Sequence, residues 1–150
     1  MGIFLALNAE ATMISFFVIE TGLPQEGGKN MHSLQWENAL LDVFFEAGYI
    51  VSNAPIIRLE RKPSGDIQTA AIQDMNEAKA GGANYFIIAH LDYNADSSSP
   101  REISLVLYSG TPYRKIFENK VTGKTYKTER EELDDLKVIA GTLVPYLRNQ

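Results

Sequence analysis

The sequence predicts an α/β chain (α+β-like): a mixed sheet of four to five strands with three helices packed mainly on one face, in the order β-α-β-α-β-β-β-α. Three observations carry that expectation. Two long apolar runs rich in β-branched and aromatic residues, Met13 to Thr21 and Asn84 to Tyr93, read as buried strands. Stretches of helical period end on glycine, at Gly48 and at Gly81-Gly82. Two alternating runs, Glu102 to Ser109 and Tyr113 to Val121, flank the turn Gly110-Thr111-Pro112 as a hairpin.

Taken in order, Gly22 to Gly28 is a loop by its glycine and proline content. The first helix is expected from about Ser33 to Ala47. Trp36, Leu40, Val43, Phe44 and Ala47 form its apolar stripe, and Gly48 is placed to end it. Tyr49 to Asn53 reads as a short strand stopped by Ala54-Pro55, and Ile56 to Arg61 as an irregular extended piece. Ser64 or Asp66 is expected to cap a helix over Ile67 to Ala80, with Ile67, Ala71, Met75 and Ala78 inward. Asp96 to Pro100 is a surface loop. Thr128 and Glu131 form a capping box for the last helix, whose Leu133, Leu136, Ala140, Leu143 and Leu147 alternate spacings of three and four. Pro145 is expected to bend or end that helix.

The chain of 150 residues is long enough for one domain with its own core, expected over residues 12–150. Its 19 acidic against 14 basic residues leave a net charge of −5, which speaks against a nucleic-acid partner. With no cysteine, disulfides, thiolate catalysis and Cys-ligated metals are excluded within this sequence. No apolar run reaches the roughly 20 residues of a membrane-spanning helix. Residues 1–11 read as the remnant of a signal peptide or as an N-terminal arm. Ala9-Glu10-Ala11 has the small-x-small form of a cleavage site, so export with a mature start near Thr12 is expected, and a cytoplasmic chain is the alternative.

Few residues offer chemistry. His90 and Asp92 stand two apart on a strand and so share a face, as half a metal site or an acid–base pair would. The other histidine, His32, falls in a loop, and no metal or cofactor is expected. Glu20 ends the first strand, where α/β proteins often bind ligands. Gly27-Gly28-Lys29 lacks the rest of a phosphate loop, and no Gly-x-Ser-x-Gly elbow occurs. Glu131, Glu132, Asp134 and Asp135 open the last helix, where they suit the macrodipole. Arg114, Lys115, Lys120, Lys124 and Lys127 make the final hairpin basic, a pattern that protects an exposed strand from edge-to-edge pairing.

The run Ala78-x-x-Gly81-Gly82-Ala83-Asn84-Tyr85 into an apolar strand, the alternating Ile103 to Tyr108, and Val121-Thr122-Gly123-Lys124 before a closing helix carry a family resemblance. Together they resemble the envelope accessory domain shared by the N-terminal domain of TolB, CsgG and LpoB. The likeness runs from about Met13 to Leu147. The turn at Gly110-Thr111-Pro112 departs from it. The resemblance implies an exported, non-enzymatic adaptor that binds another envelope protein, with oligomerisation left open, and it transfers no individual residue.

The candidate docking surfaces follow from loop composition. They are Gly22 to His32 and Asp96 to Arg101, with Gly22, Pro24, Gln25, Lys29, His32, Ser98 and Arg101 as partner-binding candidates. The competing reading is a small-molecule-binding or hydrolytic α/β protein with a site at Glu20, His90 and Asp92. A deep pocket joining those three would favour it.

Overall fold

A computed structural model describes residues 12–28, 30–93, 98–110 and 112–147. Residues 1–11, read above as a leader remnant, lie outside it, as do Lys29 and Thr111. The elements run β1 (Met13–Thr21), α1 (Met31–Glu46), β2 (Ile50–Asn53), β3 (Ile57–Leu59), α2 (Gln68–Ala80), β4 (Tyr85–Tyr93), β5 (Pro100–Ser109), β6 (Arg114–Thr122), α3 (Glu129–Gly141) and α4 (Val144–Leu147).

The fold is a mixed, open six-stranded sheet with three helices and a short helical turn packed on it. Its order is β2-β1-β4-β5-β6, with β3 also paired to β1. One strand more than expected is present, because Ile57–Leu59 pairs with Ile19–Thr21. β2 occupies the first half of the same edge, pairing Met13–Phe16 with Ile50–Asn53. Pro55 falls in the gap, and a residue without an N–H donor suits a break in a ladder. β1, β2, β3 and β4 are mutually parallel through β1, and the β4–β5–β6 half is antiparallel.

Connection handedness decides where the helices go. The β1-α1-β2 crossover moves one way across the sheet, and the β3-α2-β4 crossover moves back past β1. Right-handed crossovers in opposite directions place their helices on opposite faces. Accordingly α1 and α3 pack with Ile14, Phe16, Val18, Ile87 and Leu105 on the first face. Ala71 and Met75 of α2 pack with Phe17, Ile19, Phe86, Ile88 and Val106 on the second. With both faces covered, β1 and β4 are buried along nearly their whole length instead of alternating between buried and exposed residues.

Local chemistry sets the helix ends. α1 starts two residues before the expected Ser33, since the Asn30 side chain accepts from the His32 N–H at 2.8 Å. Ser33 is thereby turned inward. Gly48 follows the α1 C-cap with φ 94°, a conformation that disfavours other residues. At α2, Asp66 takes the capping part through its side chain to Gln68 N and its carbonyl to Thr69 Oγ1. Thr128 accepts from Glu131 N at 3.1 Å and opens α3. That helix ends at Gly141, and Pro145 sits in the separate turn α4. Trp36 and Phe44 are buried on the sheet.

Candidate functional site

β1 and β4 are parallel, so their C-terminal ends lie at one edge of the sheet, with Thr21 beside Asp92 and Ile19 beside His90. Strand alternation then separates the residues named from the sequence. Glu20 points to the first face with Val18, Leu91 and Tyr93, whereas Thr21, His90 and Asp92 point to the second. The sheet therefore stands between Glu20 and the His90–Asp92 pair. The three do not converge on one pocket, because they lie on opposite faces of the sheet. The competing small-molecule or hydrolytic site is corrected on this point.

On the first face, a polar network is built around Glu20. Its side chain is 2% exposed, and a buried carboxyl group needs partners. Ser33 Oγ donates to Glu20 Oε2 at 2.5 Å, and Arg58 Nε donates to Oε1 at 3.0 Å. The Tyr93 hydroxyl lies 2.8 Å from Ser33 Oγ and reaches Asn30 Oδ1 at 3.0 Å. Burial, above all, pushes the Tyr93 phenol well above its ordinary range, so it stays a neutral hydroxyl. Ser33 itself is fully buried. A serine beside a carboxylate resembles a nucleophile and its base, but this hydroxyl has no exposed surface from which to meet a substrate.

Arg58 extends the network into the first candidate loop. Its guanidinium donates to the carbonyls of Pro24 (3.1 Å), Gly27 (3.4 Å) and Gly28 (3.0 Å), while Gln25 Nε2 donates to the Arg58 carbonyl at 3.0 Å. A single planar fork with five donors can serve one carboxylate and several carbonyls. At Gly27, with φ 151°, a Cβ would stand 3.3 Å from Arg58 Nη1, so the close approach depends on glycine. The loop is thus stapled to β3, and beside it opens a cleft of about 210 Å³ bordered by Glu20, Pro55 and Ile56.

The two candidate loops meet. Asn30 Nδ2 donates to the Ser98 carbonyl at 3.4 Å, and Ser99 Oγ lies 3.3 Å from His32 Nε2. His32 Nδ1 in turn lies 2.6 Å from Glu132 Oε1 at the start of α3. Pro24, Gln25, Ser98 and Arg101 are exposed, while Gly22 and His32 are half-buried. Lys29 and residues 96–97 of the second loop lie outside the described residues.

On the second face, the Thr21 hydroxyl donates to Asp92 Oδ1 at 3.0 Å. Its one proton is then used, so the contact to His90 Nε2 at 2.8 Å has the imidazole N–H as donor. Lys62 Nζ stands 3.8 Å from Asp92 Oδ2. Burial, and next the Lys62 charge, lower the His90 pKa; Asp92 and Glu102 oppose this and Lys120 adds to it. The sign follows. A depressed folded-state value means the unfolded chain binds the proton first, so the stability contributed by neutral His90 is complete above the ordinary value of 6.5. It is lost as pH falls from there toward the folded-state value. Replacing His90 with Gln is expected to flatten the fall in urea midpoint between about pH 7.5 and pH 5.5. Parallel pH profiles for the two proteins would refute this role.

Arg58, Ser33, Asn30 and Tyr93 were not among the sequence candidates. One signal was available: Glu20 sits inside an apolar strand and so requires a buried cation or donor, and Arg58 lies in the extended piece that becomes β3. Among the described residues, no three His, Cys, Asp or Glu side chains form a metal-binding group, and no helix is long and apolar enough to cross a membrane.

Comparison with solved structures finds the same fold in PelC from Paraburkholderia phytofirmans. A variant PelC dodecamer aligns with TM-score 0.53 at 10% identity, covering 91% of this chain and 89% of that one. A second PelC dodecamer aligns with TM-score 0.52 at 11% identity, covering 91% and 87%. Lipoprotein GNA1162 from Neisseria meningitidis aligns with TM-score 0.45 at 10% identity, over 93% and 99%. No curated protein sequence matches. Residues 15–111 match a protein-family model described as "Uncharacterised protein"; the match spans more than half of the chain, which therefore belongs to that family.

Proposed function

We propose that this chain is a non-enzymatic protein-interaction domain of the cell envelope. It docks on another envelope protein through the joined loop surface of Pro24, Gln25, His32, Ser98 and Arg101, and it also associates with copies of itself. The observation that carries the reading is the meeting of the two loops: Asn30 with Ser98 and His32 with Ser99 make one surface from two segments distant in sequence. A rigid sheet presenting loops at one edge is a common arrangement for binding. The buried polar groups beneath are engaged with one another, which suits a support more than a reaction centre. The TolB-type resemblance supports the envelope location, and the dodecameric PelC structures support self-association.

A photo-crosslinking residue placed at Gln25 or at Arg101 of the full-length protein in its native cells tests this. The expected result is one shared crosslinked envelope protein from both positions and, from Gln73, which is exposed on α2 across the sheet, no crosslink except to a second copy of this chain. Crosslinks to a different envelope protein from Gln73 alone, or a cytosolic protein giving none, would overturn the proposal.

A further inference from the structure

The sheet is open; the outer strand β2 is uncharged and bordered by carboxylates of the neighbouring helices, whereas the outer strand β6 carries basic side chains of its own. At one end lies β2, paired only with β1 among the described residues. On the second face, Asp74 and Glu77 of α2 border a groove of about 270 Å³ together with Ser52 and Asn53 of β2. On the first face, Asn53 Nδ2 donates to Glu37 Oε2 at 2.9 Å. That bond holds Glu37 against the strand, and Leu41 and Phe45 follow Glu37 along the same side of α1 at spacings of four. Leu41 is 43% exposed and Phe45 71%.

At the other end lies β6. Lys115 registers with Tyr108 and Lys120 with Ser104, so both lysines stand on the second face, and both are exposed. Lys115 holds Glu118 at 3.0 Å. On the first face, Phe117 stacks on Tyr146 of α4 with ring centroids 4.2 Å apart, and Tyr146 is 39% exposed.

We propose that copies of this chain associate head to tail, the β2 edge of one beside the β6 edge of the next, so that the sheet continues from copy to copy. The inference rests on the self-association part of the function proposed above and names its surfaces. β2 runs parallel to β1, and β6 does too after two antiparallel steps from β4, so copies in one orientation pair these strands in parallel. With the faces in line, Asp74 and Glu77 of one copy meet Lys115 and Lys120 of the next. The Leu41–Phe45 stripe meets Tyr146. Two β6 edges would bring lysines together and two β2 edges would bring carboxylates together, so the charges reject like pairings and select the unlike one. The lysines then have a double part: they block β6 from pairing with itself while admitting β2.

Sedimentation velocity on the purified chain tests this. Wild type is expected to self-associate in low salt and to dissociate as salt rises. Lys115→Glu/Lys120→Glu and Asp74→Lys/Glu77→Lys are each expected to raise the dissociation constant at least about tenfold. Mixing the two variants is expected to restore association, since each unlike edge then finds its complement; two misfolded chains would not do so. Wild type monomeric at about 0.5 mM in low salt would overturn the edge pairing. So would assembly that survives both reversals, or variants whose mixture stays monomeric. None of these results bears on the Gln25 and Arg101 crosslinks, so this inference and loop docking fail separately.

Discussion

Arg58→Ala is expected to destabilise the folded chain by about 3–5 kcal/mol, because it strands the Glu20 carboxylate at the end of β1 without its cation. The cost of removing one member of a buried pair exceeds the net worth of the pair, since the remaining charge keeps its desolvation penalty. The same substitution removes the donors that hold the carbonyls of Pro24, Gly27 and Gly28. Adding Glu20→Gln in the same chain is expected to recover part of the loss, as a neutral amide costs less to bury than a carboxylate. Urea denaturation of the four proteins of this cycle measures both effects. A loss below about 1 kcal/mol in Arg58→Ala would show that Glu20 is solvated by other means.

The second large effect is expected from Phe44→Ala. Phe44 of α1 is fully buried in the core cluster that includes Leu40 and against which Val51 of β2 packs. Truncating a buried phenylalanine costs about 3–5 kcal/mol, through lost transfer energy and the cavity left behind. Its sequence neighbour supplies the control. Phe45 lies one residue further round the helix and is largely exposed, so Phe45→Ala in dilute solution is expected to change stability by no more than about 0.5 kcal/mol. Trp36 is the one tryptophan and packs in the same core, so its fluorescence reports the transition. One transition is expected if residues 12–150 unfold as a single domain. Equal costs for the two substitutions would mean that the helix does not pack by this face.

The consequences of these substitutions trace how much a linear reading reveals. Phe44 was legible as a core residue because its partners on the stripe, Trp36 and Leu40, are neighbours by helical period alone. The part Arg58 plays was not legible. Its worth depends on Glu20, 38 positions away, and nothing local ties an arginine in an extended piece to a carboxylate on another strand. The two segments were legible as loops through glycine, proline and serine content, but their meeting depends on Asn30 and His32 reaching Ser98 and Ser99.

The catalytic alternative shows the other side of the same limit. His90 and Asp92 were correctly placed on one face, because a strand alternates with period two whatever surrounds it. Which face Glu20 shares with them depends on the register of β1 against β4, and register is set by long-range pairing. By itself the sequence determined the element types, their order and most of their ends, since periodicity, caps and glycine conformations are properties of a few adjacent residues. Only the tertiary structure decided that β3 joins the sheet, that α2 lies opposite α1 and α3, and that Glu20 is cut off from His90. Those outcomes follow from strand register and crossover handedness, which act between segments that only the folded chain brings together.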